Sequence, residues 1–372
     1  MAQLPQDRLV RKEVALGLVR ERPKPEGHIG LNIAPFQAVE SDDVIFQHVQ
    51  LSASGLAPAR AEDSEAEMAG KEETIGEGRA SLIDWSIKDH YTTSDVTRYR
   101  ESLLIGNALP ESLPLTSSSI TEGFQNRVAR DTALRRRKLD NRLEWLIMEA
   151  LWKGRIAYND GKIIFDVSYD RPSPQQNASV TATWDDTDAD PIGDLLEIQE
   201  YMYDTHGTTI TRGMMSKKIA RKILTSDRFA ARSGLAGGTG SLPVDPNYLI
   251  DGWGYEAALG VVERATGISF QLYDSGYRTR AAGSTSTTFT RYSPEDKILL
   301  LPAQSDIDEI DDFIGFGKTF TSPHPAGNWT PGFYEWEKDL GQDPWGYDVG
   351  TGIKAFPVFP HLDLTYVLKV LA

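Results

Sequence analysis

Five acids in the segment DDTDADPIGDLLE could do chemistry together. Asp186, Asp188, Asp190, Asp194 and Glu197 stand at positions 1, 3, 5, 9 and 12 of a calcium-binding loop, where carboxylates converge on one Ca²⁺. The sixth position of such a loop takes glycine for its sharp turn. Here it is Pro191, whose ring fixes φ at about −65°, and no helix leads into the segment. The same residues read better as a helix start. Asp190 is then the N-cap, Pro191 the first helical residue, and the acids that follow face the positive end of the helix dipole.

Other candidate chemistry falls away on similar grounds. GFGKT (315–319) resembles the end of a phosphate loop, but the glycine required five residues before Gly317 is Asp312, whose charge would repel phosphate. GLAGGTGS (234–241) follows a helical pattern rather than a strand and lacks the spaced acid of a dinucleotide site, so it reads as a loop. The six histidines (His28, His48, His90, His206, His324 and His361) show no metal spacing, and there is no G-x-S-x-G nucleophile elbow. Acid pairs are numerous, which leaves a two-carboxylate hydrolase as an alternative, but no pair stands out. The reading is therefore of a chain with no catalytic residue, no cofactor site and no metal site.

The bulk properties agree. A chain of 372 residues supports two or three packed units. Its formal charge of −15 argues against a surface that attracts nucleic acid. With no cysteine, disulfides, thiolate metal sites and cysteine nucleophiles are excluded, and a reducing compartment fits. Apolar runs such as ILLLPA (298–303) are far below the ~18 residues a membrane helix needs. VALGLV (14–19), between RKE and RER, is too short for a secretion signal. The expectation is a protein made and used inside a cell, away from membranes.

These residues must be positioned by a distinctive series of elements. Residues 1–40 mix charges and prolines and read as an extended arm. VIFQHVQL (44–51) and LIDWSI (82–87) are β-rich, and the long polar stretch between them reads as a protruding loop. Within it, 61–77 carries seven acids (among them Glu62, Asp63, Glu65 and Glu67) and one base, Lys71. A helix is expected over 117–153, capped by Ser117–Ser119 and ended by Gly154, with Leu139, Leu143, Leu146, Ile147 and Ala150 on one face. Its 127–142 stretch holds seven bases, including Arg135, Arg136 and Arg137, and two acids. A hairpin turning at NDG (159–161) follows, and alternating helices and strands from Pro191 suggest an α/β unit. HLDLTYVLKVLA closes the chain as an alternating strand.

This order, together with ALWKGRIAYNDGKIIFDVSYD, TWDDTDADPIGDLLE, GTTITRGMMSKKIARKIL and the closing LTYVLKVLA, resembles the lambda-like major capsid protein E family of tailed bacteriophages, which has the Hong Kong 97-type fold. The resemblance implies an α+β chain in five stretches. They are an N-terminal arm (1–37), an extended loop (38–95) and a peripheral domain with a spine helix at 117–153 (96–190). An α/β axial domain (191–310) follows, and 311–372 returns to the peripheral domain with the C-terminal strand. It also implies a major capsid protein that assembles with itself, as hexamers and pentamers, into an icosahedral shell around double-stranded DNA. The shell encloses that DNA without sequence-specific binding, and the compartment is the virion, assembled in the host cytoplasm. A scaffold protein, a portal and a decoration protein are the implied partners. The alternatives are a tail-tube or connector protein, or an acidic intracellular hydrolase. The charge pattern adds an expected contact between subunits: Glu62, Asp63, Glu65 and Glu67 of one chain against Arg135, Arg136 and Arg137 of the next.

Overall fold

The computed structural model describes residues 12–50, 74–95, 117–161, 163–169, 171–186, 189–226, 248–280, 285–305, 307, 315–342 and 345–372. Helix α1 (Lys12–Arg20) buries Leu16 and Val19, three residues apart on one face. A single turn, α2 (Gly30–Ile33), and a short strand, β1 (Phe36–Ala38), follow. Residues 12–37 are thus not the extended arm expected. The prolines of RPKPEG separate two ordered pieces instead of preventing both. Strand β2 (Asp43–Gln50) pairs with β3 (Thr74–Ser81) in a two-stranded ribbon. Its partner is therefore TIGEGRAS, which carries no alternating apolar signal, and not LIDWSI. The latter opens β4 (Ile83–Thr92), a strand of another sheet in which Trp85 and Tyr91 are buried at the expected alternation.

Helix α3 spans Ser117–Lys153, 37 residues, or about 55 Å at 1.5 Å per residue. Gly154 ends it at φ 64°, the left-handed conformation that glycine adopts without strain. The hairpin β5 (Arg155–Asn159) and β6 (Ile164–Ser168) forms as expected. Side chains fix its turn, since Asn159 Oδ1 accepts from the Gly161 N–H and Asp160 Oδ1 from the Ile163 N–H. Then come α4 (Ser173–Gln176), β7 (Ala178–Ser179), α5 (Pro191–His206), β8 (Ile210–Met215), α6 (Lys217–Leu224) and α7 (Tyr248–Thr266), the last interrupted at Gly254. Strands β9 (Ser269–Leu272), β10 (Gly276–Thr279), β11 (Thr288–Arg291) and β12 (Lys297–Pro302) follow. The chain ends with β13 (Lys318–Thr321), β14 (Pro323–His324), β15 (Thr330–Pro331), β16 (Phe333–Gln342), β17 (Trp345–Val358) and β18 (Tyr366–Lys369).

Two units divide these elements. The first takes 1–44, 80–145 and 319–357. Its sheet runs β1-β13-β17-β16, with β4 also on β17. The register sets Tyr334 opposite Gly352 and Trp336 opposite Gly350. A Cβ on Gly350 would lie 2.3 Å from the Trp336 ring, and one on Gly352 2.4 Å from Tyr334, so each ring lies flat over a glycine. GFGKT finds its role here as an entry to a strand: Thr319 is buried and donates to the Ala34 carbonyl.

The second unit takes 45–79, 146–318 and 358–372. Its sheet runs β7-β18-β12-β8-β9, with β12 antiparallel to both neighbours and β8 parallel to β9. Ile192, Leu195, Ile198 and Met202 of α5, Ile219 and Ile223 of α6, and Leu259 and Val262 of α7 form its core with Ile298 and Leu300. One expectation is corrected: the closing strand covers only 366–369, because Leu362 and Leu364 are buried from a 3-10 turn. This strand lies antiparallel beside β12. The buried run ILLLP of β12 needs a partner on each edge, and β18 supplies one, with Leu368 and Val370 in the same core. The partition cuts α3 between Trp145 and Leu146.

Candidate assembly surface on the long helix

The buried stripe of α3 continues upstream from Leu143 and Leu139 through Arg135, Thr132 and Val128, at spacings of three and four. Arg135 is 1% exposed and spends its whole guanidinium inside the first unit. It donates to Asp89 at 2.6 Å, to Glu335 at 3.2 Å, and to the Thr132 and Thr351 hydroxyls at 2.6 and 3.1 Å. Burial works against its charge, but the bonds to Asp89 and Tyr91 outweigh it and raise its pKa. Glu335, buried too, is pushed up by desolvation against the pull of Thr132 and Arg135.

Arg136 is spent as well. It donates to the Val19 carbonyl at 3.0 Å, pairs with Asp140 one turn along, and lies 3.1 Å over the Phe333 ring. Burial lowers it to about 10 and raises Asp140 to about 6. Farther along, the Glu144 carboxylate accepts from the Ile29 and Gly30 N–H groups at 3.0–3.1 Å and so holds the start of α2. Arg20 of α1 donates to the carbonyls of Phe333, Gly327 and Thr330. Acids and arginines of the helix thus dock the N-terminal segment onto their own subunit.

The expected triplet is therefore divided. Arg135 and Arg136 face inward, while Arg137 and Lys138 are exposed. Arg137 and Lys138 border a cleft of about 400 Å³ with Asp89, Asp131 and Leu134, the last 52% exposed. Glu62, Asp63, Glu65 and Glu67 lie outside the described residues, as does the glycine segment 234–241. Sequence reasoning missed Asp89, Glu335 and Thr351 as the partners of Arg135. Stepping back four residues from Leu139 along its own face would have placed Arg135 in the core.

Two of the described acids of DDTDADPIGDLLE serve the start of α5, while Asp185 pairs with Lys222 of α6 at 2.8 Å. Asp190 accepts from the Gly193 N–H at 3.1 Å as its N-cap, and Asp194 accepts from the Trp184 indole at 2.8 Å. Asp188 lies outside the described residues.

The model of the family described as phage major capsid protein E matches residues 19–311. Among solved structures, one titled as a capsid protein of a prophage of Escherichia coli CFT073 is 13% identical. It covers 98% of this chain and 99% of that one, with a TM-score of 0.58. A phage-related protein of Bordetella bronchiseptica RB50 is 14% identical, covering 97% of each chain, with a TM-score of 0.46. The capsid of cyanophage P-SCSP1u gives 12% identity, 91% and 86% coverage and a TM-score of 0.44. No curated protein sequence matches significantly. The α+β architecture is the Hong Kong 97-type capsid fold. With most of its length matched by one family model, the chain belongs to the phage major capsid protein E family and is a shell protein of the virion capsid.

Proposed function

We propose that the chain assembles as pentamers and hexamers into an icosahedral shell around double-stranded DNA, and that it acts by geometry and not by catalysis. The family match over 19–311 carries this reading. The acidic charge supports it further, since an anionic wall leaves packed DNA free to slide and a cationic one would hold it. Assembly takes place in the host cytoplasm, with a scaffold protein, a portal and a decoration protein as further partners.

Neighbours recognise each other in part through the segment that joins β2 to β3. Its acids, Glu62, Asp63, Glu65 and Glu67, dock on the exposed cations of a neighbour's helix, Arg137 and Lys138. Such rim charges steer encounter and fix register, and add modest affinity. They are screened over roughly 8 Å at physiological salt, so NaCl approaching 1 M slows assembly. The test is reversal of the four acids to lysine, followed by assembly of the full chain monitored by light scattering. Slower assembly with a flatter salt dependence is expected, with partial recovery on adding Arg137→Glu and Lys138→Glu. Wild-type rate and salt dependence in the four-lysine variant would show that the two clusters do not meet.

A further inference from the structure

The second unit carries opposite charges on two separate elements, a β-ribbon and a helix face. After β9, β10 and β11 form a two-stranded ribbon that pairs with no other strand among the described residues. From Ser275 to Pro294 the chain has three arginines and no acid; Arg291 pairs with the flanking Asp274 and Glu295, and Arg278 and Arg280 are exposed. The register places Arg278 directly opposite Phe289, so both project from one ribbon face, and Arg280, two residues on, shares it. Phe289 is 49% exposed, yet its ring is seated: it lies over Gly276, where a Cβ would come within 2.6 Å of it. The ribbon thus sets an aromatic ring beside two exposed arginines. A two-stranded ribbon is marginal in water on its own, and this one keeps an apolar ring in solvent.

Helix α5 packs on β18 through Tyr201 against Tyr366, ring centroids 6.0 Å apart, with Glu197 close by, and reaches β8 through Gln199, which donates to the Ile210 carbonyl at 3.0 Å. Its solvent face exposes Glu197, Glu200 and Tyr203 at helical spacing, with Tyr203 62% exposed. The three span about 9 Å of helix, and Arg278 to Arg280 spans about 7 Å of strand. The two faces are opposite in sign and alike in size and aromatic content, and they belong to different elements of one unit.

We infer that the β10–β11 ribbon of one subunit docks on the α5 face of the next, setting Arg278 and Arg280 against Glu197 and Glu200 and Phe289 against Tyr203. Two different surfaces of identical chains meet head to tail, and repetition of that contact closes a ring. The occupant is a second copy because this same chain carries the complementary face. The inference rests on the shell reading and names the contact that builds one ring of the shell.

The chain has no cysteine, so Arg278→Cys with Glu200→Cys introduces the only two thiols. Particles assembled from this full-length variant are treated with a short bis-maleimide and run on a denaturing gel. A ladder of covalent multimers ending at a closed ring is expected, with each single-cysteine variant staying monomeric. Particles that yield only monomer overturn the contact and leave the shell reading standing. A dimer from Arg278→Cys alone overturns its head-to-tail sense. A wild-type chain that never assembles overturns both readings. If the cysteine pair blocks assembly, charge exchange decides. Arg278→Glu with Arg280→Glu, and separately Glu197→Arg with Glu200→Arg, should each lose particles, and the four changes together should recover them. Failure to recover, with every variant folded by circular dichroism, overturns the contact.

Discussion

Neighbouring arginines on α3 have opposite fates, and their substitution should separate folding from assembly. Arg135→Glu would place a third acid beside Asp89 and Glu335 and leave both without their cation. Breaking a buried pair in this way costs on the order of 3–5 kcal/mol, which a urea melt of the soluble chain would register. Arg137→Glu, on the exposed side, should change the same melt by less than about 0.5 kcal/mol while slowing assembly. Two other buried groups of this unit titrate in opposite senses. Burial, with the fields of Arg137 and Lys24, lowers His28 from 6.5 to about 4. The folded state then holds fewer protons than the unfolded chain between those values, and stability falls as the pH drops through them. Burial, opposed by Arg136, raises Asp140 from 3.8 to about 6. Here the folded state holds the extra proton, and stability rises as the pH drops. The two effects offset each other in the wild type. Lowering the pH from 6.5 to 4.5 should therefore stabilise His28→Gln relative to wild type, and destabilise Asp140→Asn, each by on the order of 1–2 kcal/mol. Parallel pH dependences in all three proteins would contradict these assignments.

At the scale of elements, the glycines of β17 are places for rings. Gly350→Val should destabilise the first unit by about 1–3 kcal/mol, because its side chain meets Trp336 across the strand pair. Adding Trp336→Ala should recover part of the loss, a coupling that a double-mutant cycle measures. This sheet was the part of the fold least legible in the sequence. The stretch 320–350 reads as Gly- and Pro-rich wandering, since its strand character lies in cross-strand partners that no local window contains. β4 pairs with β17, Trp85 opposite Ile353, across more than half the chain. The elements that were legible carry their signals locally. Helix α3 has its apolar stripe and Gly154, the β5–β6 hairpin has NDG, and α5 has Asp190 and Pro191 at its start. The docked N-terminal segment was missed because its anchors, Glu144 and Arg136, lie more than a hundred residues away. The inward arginines were half legible: their face could be followed from Leu139, but charge invited an outward reading.

For the whole molecule, charged residues within the subunit lock its own segments together, and on the proposed reading those left exposed face its copies. The central claim is that this chain, given its copies, closes a shell. Negative-stain electron microscopy of the concentrated full chain, with sedimentation velocity on the same sample, tests it most directly. Closed, uniform particles sedimenting as one fast boundary that sharpens as NaCl is lowered are the predicted result. Tubes, open rings or a monomer at every salt and protein concentration, with a scaffold protein supplied, would contradict it.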